Sequence, residues 1–229
     1  MTAPEAKIFL SDERGLNQLD WFRSFTTFNF GNYQQEFKTP VNRLYVLNDD
    51  TLAGGKSMNL EIESNSMLVL LPVVGAVEYR DSTGNTSTVD AGCLQMTMLP
   101  AGSSYTITNP YADDLVNFLQ VWIKVENVFA ESAFQKFSFD LDEHKNYFIS
   151  STLEAGIVFH IAKLKGRQKA TVQFSNNTAA AFAFVIKGAF ELEDRLLHAR
   201  DGLALWNCKQ AEMEALSNDA IIFMLEMKD

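Results

Sequence analysis

Two carboxylates, Glu61 and Glu63, alternate in a segment with strand character, Met58-Asn59-Leu60-Glu61-Ile62-Glu63. At that spacing both side chains leave the same face of a strand. There they could hold a hard cation, or stand in solvent at the mouth of a barrel. Converging without a cation, they would repel one another and raise one pKa. Such an acidic pocket also suits a cationic or polyhydroxylated small molecule. A thiol, Cys93, follows the turn glycine Gly92 and is the candidate for a redox response, given exposure and a lowered pKa. The histidines, His144, His160 and His198, form no His-x-His pair and read as surface or barrel-lining residues. Asp49-Asp50 and Asp113-Asp114 read as solvated turns. No Ser-His-Asp or Cys-His nucleophile pattern is present, and Gly54-Gly55-Lys56-Ser57 lacks the earlier glycine of a phosphate loop.

These groups have to be positioned by strands. Apolar runs of five to eight residues recur between Gly, Asn, Asp and Ser: Arg43–Leu47, Met67–Leu71, Ala76–Arg80, Leu94–Met98, Val116–Val125, Ile157–Leu164, Ala170–Phe174, Ala181–Ile186, Phe190–Glu193 and Ala220–Met227. Short strands at this spacing predict an antiparallel sandwich or barrel rather than βαβ units. Helix is expected at most over Leu16–Arg23 and Ala211–Leu216. An internal repeat sharpens the prediction. Val73-Val74-Gly75-Ala76-Val77-Glu78 matches Ile186-Lys187-Gly188-Ala189-Phe190-Glu191, and Asp90-Ala91-Gly92 parallels Arg200-Asp201-Gly202. Two similar barrels in tandem follow, residues 1–139 and 140–229.

Composition bounds the function. A chain of 229 residues with 47% hydrophobic residues and 18 Phe can bury a core and is not disordered. A net charge of −10 argues against a nucleic-acid groove or an anionic membrane surface. The N-terminal residues carry no apolar segment of signal-peptide length, and no run reaches the length of a membrane span. Cys93 and Cys208 lie far apart with no C-x-x-C spacing, which fits a reducing cytoplasm.

Several motifs in order resemble the pirin-like bicupins: Glu13-Arg14-Gly15, Trp21 to Gly31, Leu47-Asn48-Asp49-Asp50, Tyr79-Arg80-Asp81-Ser82-Thr83-Gly84-Asn85 and Leu119-Gln120-Val121-Trp122-Ile123. The resemblance is strong over the first 125 residues and mainly architectural beyond them. It implies an all-β fold of two cupin barrels (double-stranded β-helices, or jelly rolls), with the aromatic run from Trp21 to Tyr33 covering an edge of the first. The family pattern runs without gaps from Asn48 to Gly75, and puts Glu61 and Glu63 where members carry their first two histidine ligands. The later His-x-Glu pair falls on Tyr105 and Ile107. A Tyr there resembles the YhaK-type branch, which also lacks the usual ligand set.

Members with intact ligands bind iron or a similar metal, some are reported as quercetin 2,3-dioxygenases, and a mammalian member is a redox-sensing transcriptional cofactor. With all four positions altered, the resemblance implies a non-enzymatic protein without a metal cofactor. It would be linked to redox or stress and act through a small-molecule ligand or a protein partner. The alternative is a quercetin 2,3-dioxygenase-type oxygenase in which Glu61, Glu63 and Tyr105 hold iron or another divalent transition metal, with water completing the shell.

Overall fold

The computed structural model describes residues 4–128, 134–175 and 178–228. It divides into two units, Gly15–Phe139 and the remainder. Within Gly15–Phe139 the apolar runs form two antiparallel sheets. The larger has, in order, strands Phe134–Ser138, Cys93–Leu99, Ser66–Val74, Val116–Lys124, Leu44–Leu52, Phe22–Thr26 and Gly15–Gln18. The smaller has Ser57–Glu61, Ser104–Thr108, Ala76–Asp81 and Thr86–Asp90. Both contribute to one core: Val46, Leu68, Leu70, Phe118 and Trp122 from the first, Val77, Tyr79, Tyr105 and Ile107 from the second. This is the sheet-on-sheet closure that buries alternate residues of every strand.

The other unit repeats the plan. One sheet runs Glu5–Phe9, Gly202–Trp206, Thr178–Lys187, Ala220–Lys228, Ile157–Leu164, Ile149–Thr152. Its partner runs Lys169–Gln173, Gln210–Ala215, Phe190–Leu192, Arg195–Leu197. The repeat is realised at its glycines: Gly75 and Gly188 have φ of 77° and 82°, a region that L side chains enter at a cost. Gly202 is required for a different reason, since a Cβ there would stand 2.6 Å from the Phe182 ring.

Three expectations are corrected. The first domain was expected to span residues 1–139, but the segment ending at Arg14 belongs to the second unit. Glu5–Phe9 adds there as an edge strand, with Ile8 opposite Leu203. The helix expected over Leu16–Arg23 is instead the end of strand Gly15–Gln18 and the start of Phe22–Thr26. The second expected helix, over Ala211–Leu216, is strand too, Gln210–Ala215, with Leu216 just beyond it. Its Ala, Met and Glu favour helix individually, yet Ala211, Met213 and Ala215 are buried while Glu212 and Glu214 point away. That period of two decides the conformation. Among the described residues, helix is limited to two single 3-10 turns, Ser11–Glu13 and Glu154–Gly156.

Candidate functional site

The register between Ser57–Glu61 and Ser104–Thr108 decides which residues enter the first barrel. Tyr105 lies opposite Leu60, Ile107 opposite Met58, and Ser104 opposite Glu61. Partners in an antiparallel pair share a face, so Tyr105 and Ile107 enter the core with Leu60 and Met58, while Glu61 turns outward with Ser104. The burial agrees: Tyr105 is 2% exposed and Ile107 fully buried, whereas Glu61 and Glu63 are exposed on either side of the buried Ile62. The four residues expected at one pocket therefore separate into two pairs.

Tyr105 is anchored by the neighbouring sheet. Its hydroxyl donates to Gln120 Oε1 at 2.5 Å and accepts from Trp122 Nε1 at 3.0 Å. Gln120 in turn donates through Nε2 to Asp50 Oδ2. Burial keeps the phenol protonated, well above its usual range, and the nearby Asp50 charge adds to that. Tyr105, Gln120 and Asp50 thus form a hydrogen-bonded polar chain inside the unit.

Asp50 is the residue that sequence reasoning missed. Asp49-Asp50 was expected to be a solvated turn; both lie inside strand Leu44–Leu52, 6% and 0% exposed. Asp49 Oδ1 accepts from Asn117 Nδ2 at 2.8 Å. Burial pushes Asp50 up from 3.8 to about 7, against the hydrogen bonds of Ser24 and Gln120 and reinforced by the charge of Asp49. A signal was available: Asn48, Asp49, Asp50 and Thr51 interrupt an apolar run that resumes at Leu52, and a polar run inside a central strand has to be buried with partners. Asp113-Asp114, by contrast, lies exposed as expected.

Beside Asp50 opens a cavity of about 460 Å³. Its lining includes the polar residues Asp50, Asn48, Ser24 and Thr26 and the aromatic residues Phe22, Phe30 and Tyr33. The Trp21–Tyr33 run therefore joins the sheet as a strand and also shapes this space. Three buried polar atoms of the lining residues, Asp50 Oδ1, Asn48 Oδ1 and Thr26 Oγ1, have no hydrogen-bond partner among the described residues. A second cavity, about 370 Å³, shares Phe30, Gly31 and Leu60 with the first. Glu61, Glu63, Tyr45 and Trp122 line it, and the Tyr45 phenol is raised by burial and in smaller part by the Glu63 charge. Tyr105 lines neither cavity and sits behind Trp122, with ring centroids 6.0 Å apart.

Cys93 is half-buried, its sulfur 3.3 Å from Ser138 Oγ. Cys208, also free, is pushed up to about 11 by burial and the Glu193 charge. In the second unit, His160 Nδ1 lies 2.7 Å from Ser150 Oγ and Nε2 3.6 Å from Glu226 Oε2. Burial depresses the imidazole despite that carboxylate. Among the described residues no three His, Cys, Asp or Glu side chains gather as a metal-binding group, and no helix is long and apolar enough to cross a membrane.

The comparisons with known proteins agree with this architecture. Residues 10–123 match the family model described as Pirin, and residues 137–227 that of the quercetinase C-terminal cupin domain. Quercetin 2,3-dioxygenase of Escherichia coli (strain K12) is 24% identical over 220 residues, covering 93% of this chain and 94% of that protein. The crystal structure of YhhW from Escherichia coli superposes with a TM-score of 0.85 at 20% identity over 97% of each chain, and bacterial pirin YhhW in complex with nickel(II) with 0.81. YhaK from the same species gives 0.73 at 22% identity, over 90% of this chain and 94% of its own.

Proposed function

The chain belongs to the pirin family of two-domain cupins, and from that premise we propose that it is a small-molecule-binding member whose first barrel has exchanged a metal site for a packed, hydrogen-bonded interior. One observation carries this reading. The inward positions of the facing strands are Met58, Leu60, Tyr105 and Ile107, a thioether, two aliphatic chains and a phenol. Such a donor set does not suit iron, nickel or manganese, which take imidazole and carboxylate ligands at sites of this type. The phenol could serve only as phenolate, and its proton is held by burial and engaged with Gln120. Glu61, on the opposite strand face, has no line to Tyr105.

A ligand in the Asp50 cavity would meet both polar groups and aromatic side chains, the usual composition of a small-molecule site. The second reading, a quercetin 2,3-dioxygenase-type oxygenase, is favoured by the names of the Escherichia coli relative and of the C-terminal family model. It would require Glu61 and Glu63 to hold the metal from the surface of the second cavity.

Elemental analysis of protein expressed with added iron, nickel, manganese and copper separates the two. The binding reading expects well under one equivalent of every metal and no oxygen uptake with quercetin. A full equivalent that is lost in Glu61→Ala, together with quercetin-dependent oxygen uptake, overturns it.

A further inference from the structure

We infer that the paired cavities of the first unit form a binding site for a small organic cation, an ammonium or amidinium group attached to an aromatic or apolar body. The inference rests on the proposed function and names the ligand class. It begins with the three unpartnered buried atoms. Asp50 Oδ1 and Asn48 Oδ1 can only accept when the carboxyl is ionised, and Thr26 Oγ1 can donate or accept. Their residues are 0%, 2% and 4% exposed, and leaving buried polar atoms unpaired is costly. All three atoms are closed off from the cavity space in this conformation although their residues line it, so a ligand that answers them must part the lining slightly and arrive with N–H donors.

Charge points the same way. Asp50 is the one charged side chain lining its cavity, and the adjoining cavity carries Glu61 and Glu63. Among the described residues no Lys, Arg or His lines either space, so an anion would find repulsion and no counter-charge there. A cation would be attracted to this acidic pair of adjoining cavities by a chain with a net charge of −10. Phe22, Phe30 and Tyr33 also line this space, and aromatic side chains suit a positive group or the apolar body that carries it. An ammonium against Asp50 would also favour its ionised form, which burial of the carboxyl disfavours.

Isothermal titration of the full-length protein at pH 8 with benzylamine and benzamidine, against benzyl alcohol as the uncharged counterpart, tests the assignment. Both cations should bind saturably at millimolar concentration or below, and benzyl alcohol at least about tenfold more weakly. Asp50→Asn should weaken the cations by about tenfold or more and leave benzyl alcohol unchanged. Should that variant fail to fold, the exposed pair Glu61→Gln with Glu63→Gln should still lower cation affinity severalfold and flatten its salt dependence.

Equal affinity for benzylamine and benzyl alcohol, no effect of either variant, or saturable binding of neither cation overturns the inference. Its failure is distinct from failure of the proposed function. Preference for the alcohol in a protein without metal sinks only the cation, whereas a full equivalent of metal with oxygen uptake sinks the binding reading itself.

Discussion

Replacing Asp50 by Asn should make the first unit more stable at neutral and alkaline pH. The carboxyl is fully buried and ionises near 7 rather than at its ordinary 3.8. The folded-state value is raised, so the unfolded chain gives up the proton first. Stability is then greatest below about 3.8, declines as pH rises towards 7, and is level above that. A difference of this size, at 1.36 kcal/mol per tenfold change, amounts to about 4 kcal/mol. The groups that face Asp50 do not reverse the sign. Asp49 raises it, Ser24 and Gln120 lower it without overcoming burial, and Tyr105 stays protonated throughout. Asparagine keeps an oxygen for the Gln120 amide and carries no charge to desolvate. At pH 8 the variant should therefore gain up to about 4 kcal/mol, or roughly 10 °C in melting temperature. Because the chain has two units, hydrogen exchange of peptides from Gly15–Phe139 assigns the gain to the right one. A variant no more stable than the parent at pH 8, with the same pH slope between 4 and 7, would mean that Asp50 is ionised at an ordinary pKa, and the reasoning would fail.

Tyr105→Phe should cost about 1–3 kcal/mol in chemical denaturation, because Gln120 Oε1 and Trp122 Nε1 each lose a buried partner. The second unit should respond to acid in the opposite sense to the first. His160 is depressed below 6.5 by burial. Burial would raise Glu226, but hydrogen bonds from Thr178 and Ser175 hold it below 4.5. Both shifts give stability that is present above the unfolded pKa and lost as pH falls, so exchange protection in residues 157–164 and 220–228, taken relative to the intrinsic amide rate at each pH, should fall between pH 7 and 4, and a flat protection profile would contradict the assignment. Under peroxide, mass spectrometry should find Cys93 oxidised before Cys208, whose thiol is held protonated near 11. Equal or reversed rates would count against a thiol response at Cys93.

The barrel plan was legible because its signals are local. Runs such as Val116–Val125 and Ala220–Met227 carry strand residues between turn formers, and the Gly75 and Gly188 hexads mark the same turn in both halves. The edge strand Glu5–Phe9 was not legible, since its partner Gly202–Trp206 is nearly 200 residues away and no local pattern encodes that pairing. The candidate pocket was half legible. A gap-free spacing from Asn48 to Gly75 fixes how many residues separate two points, but not which face each side chain takes. That parity is set by pairing with Ser104–Thr108, where a shift of one residue exchanges inside for outside. Glu61 and Glu63 face outward, as the barrel-mouth reading expected, while Tyr105 and Ile107 turn inward, so spacing alone could not show that the four positions divide between two faces.

The two departures from simple patterning have opposite energetic signs, and the contrast locates the chemistry. At Met58, Leu60 and Ile107 the inward face is apolar, with Ile107 fully buried and Met58 and Leu60 packed against the core, as hydrophobic burial alone would select. At Asn48 and Asp50 a central strand carries polar side chains into the interior, with acceptor oxygens left unmatched, an arrangement that works against stability. Folding alone would not favour it, since asparagine or an aliphatic residue at position 50 would cost less. Local rules are broken in this way where function compensates, and stabilising changes at such places tend to cost activity. The Asp50→Asn experiment therefore reads both sides of one trade: the substitution that strengthens the first unit at pH 8 should be the one that empties its cavity of cations.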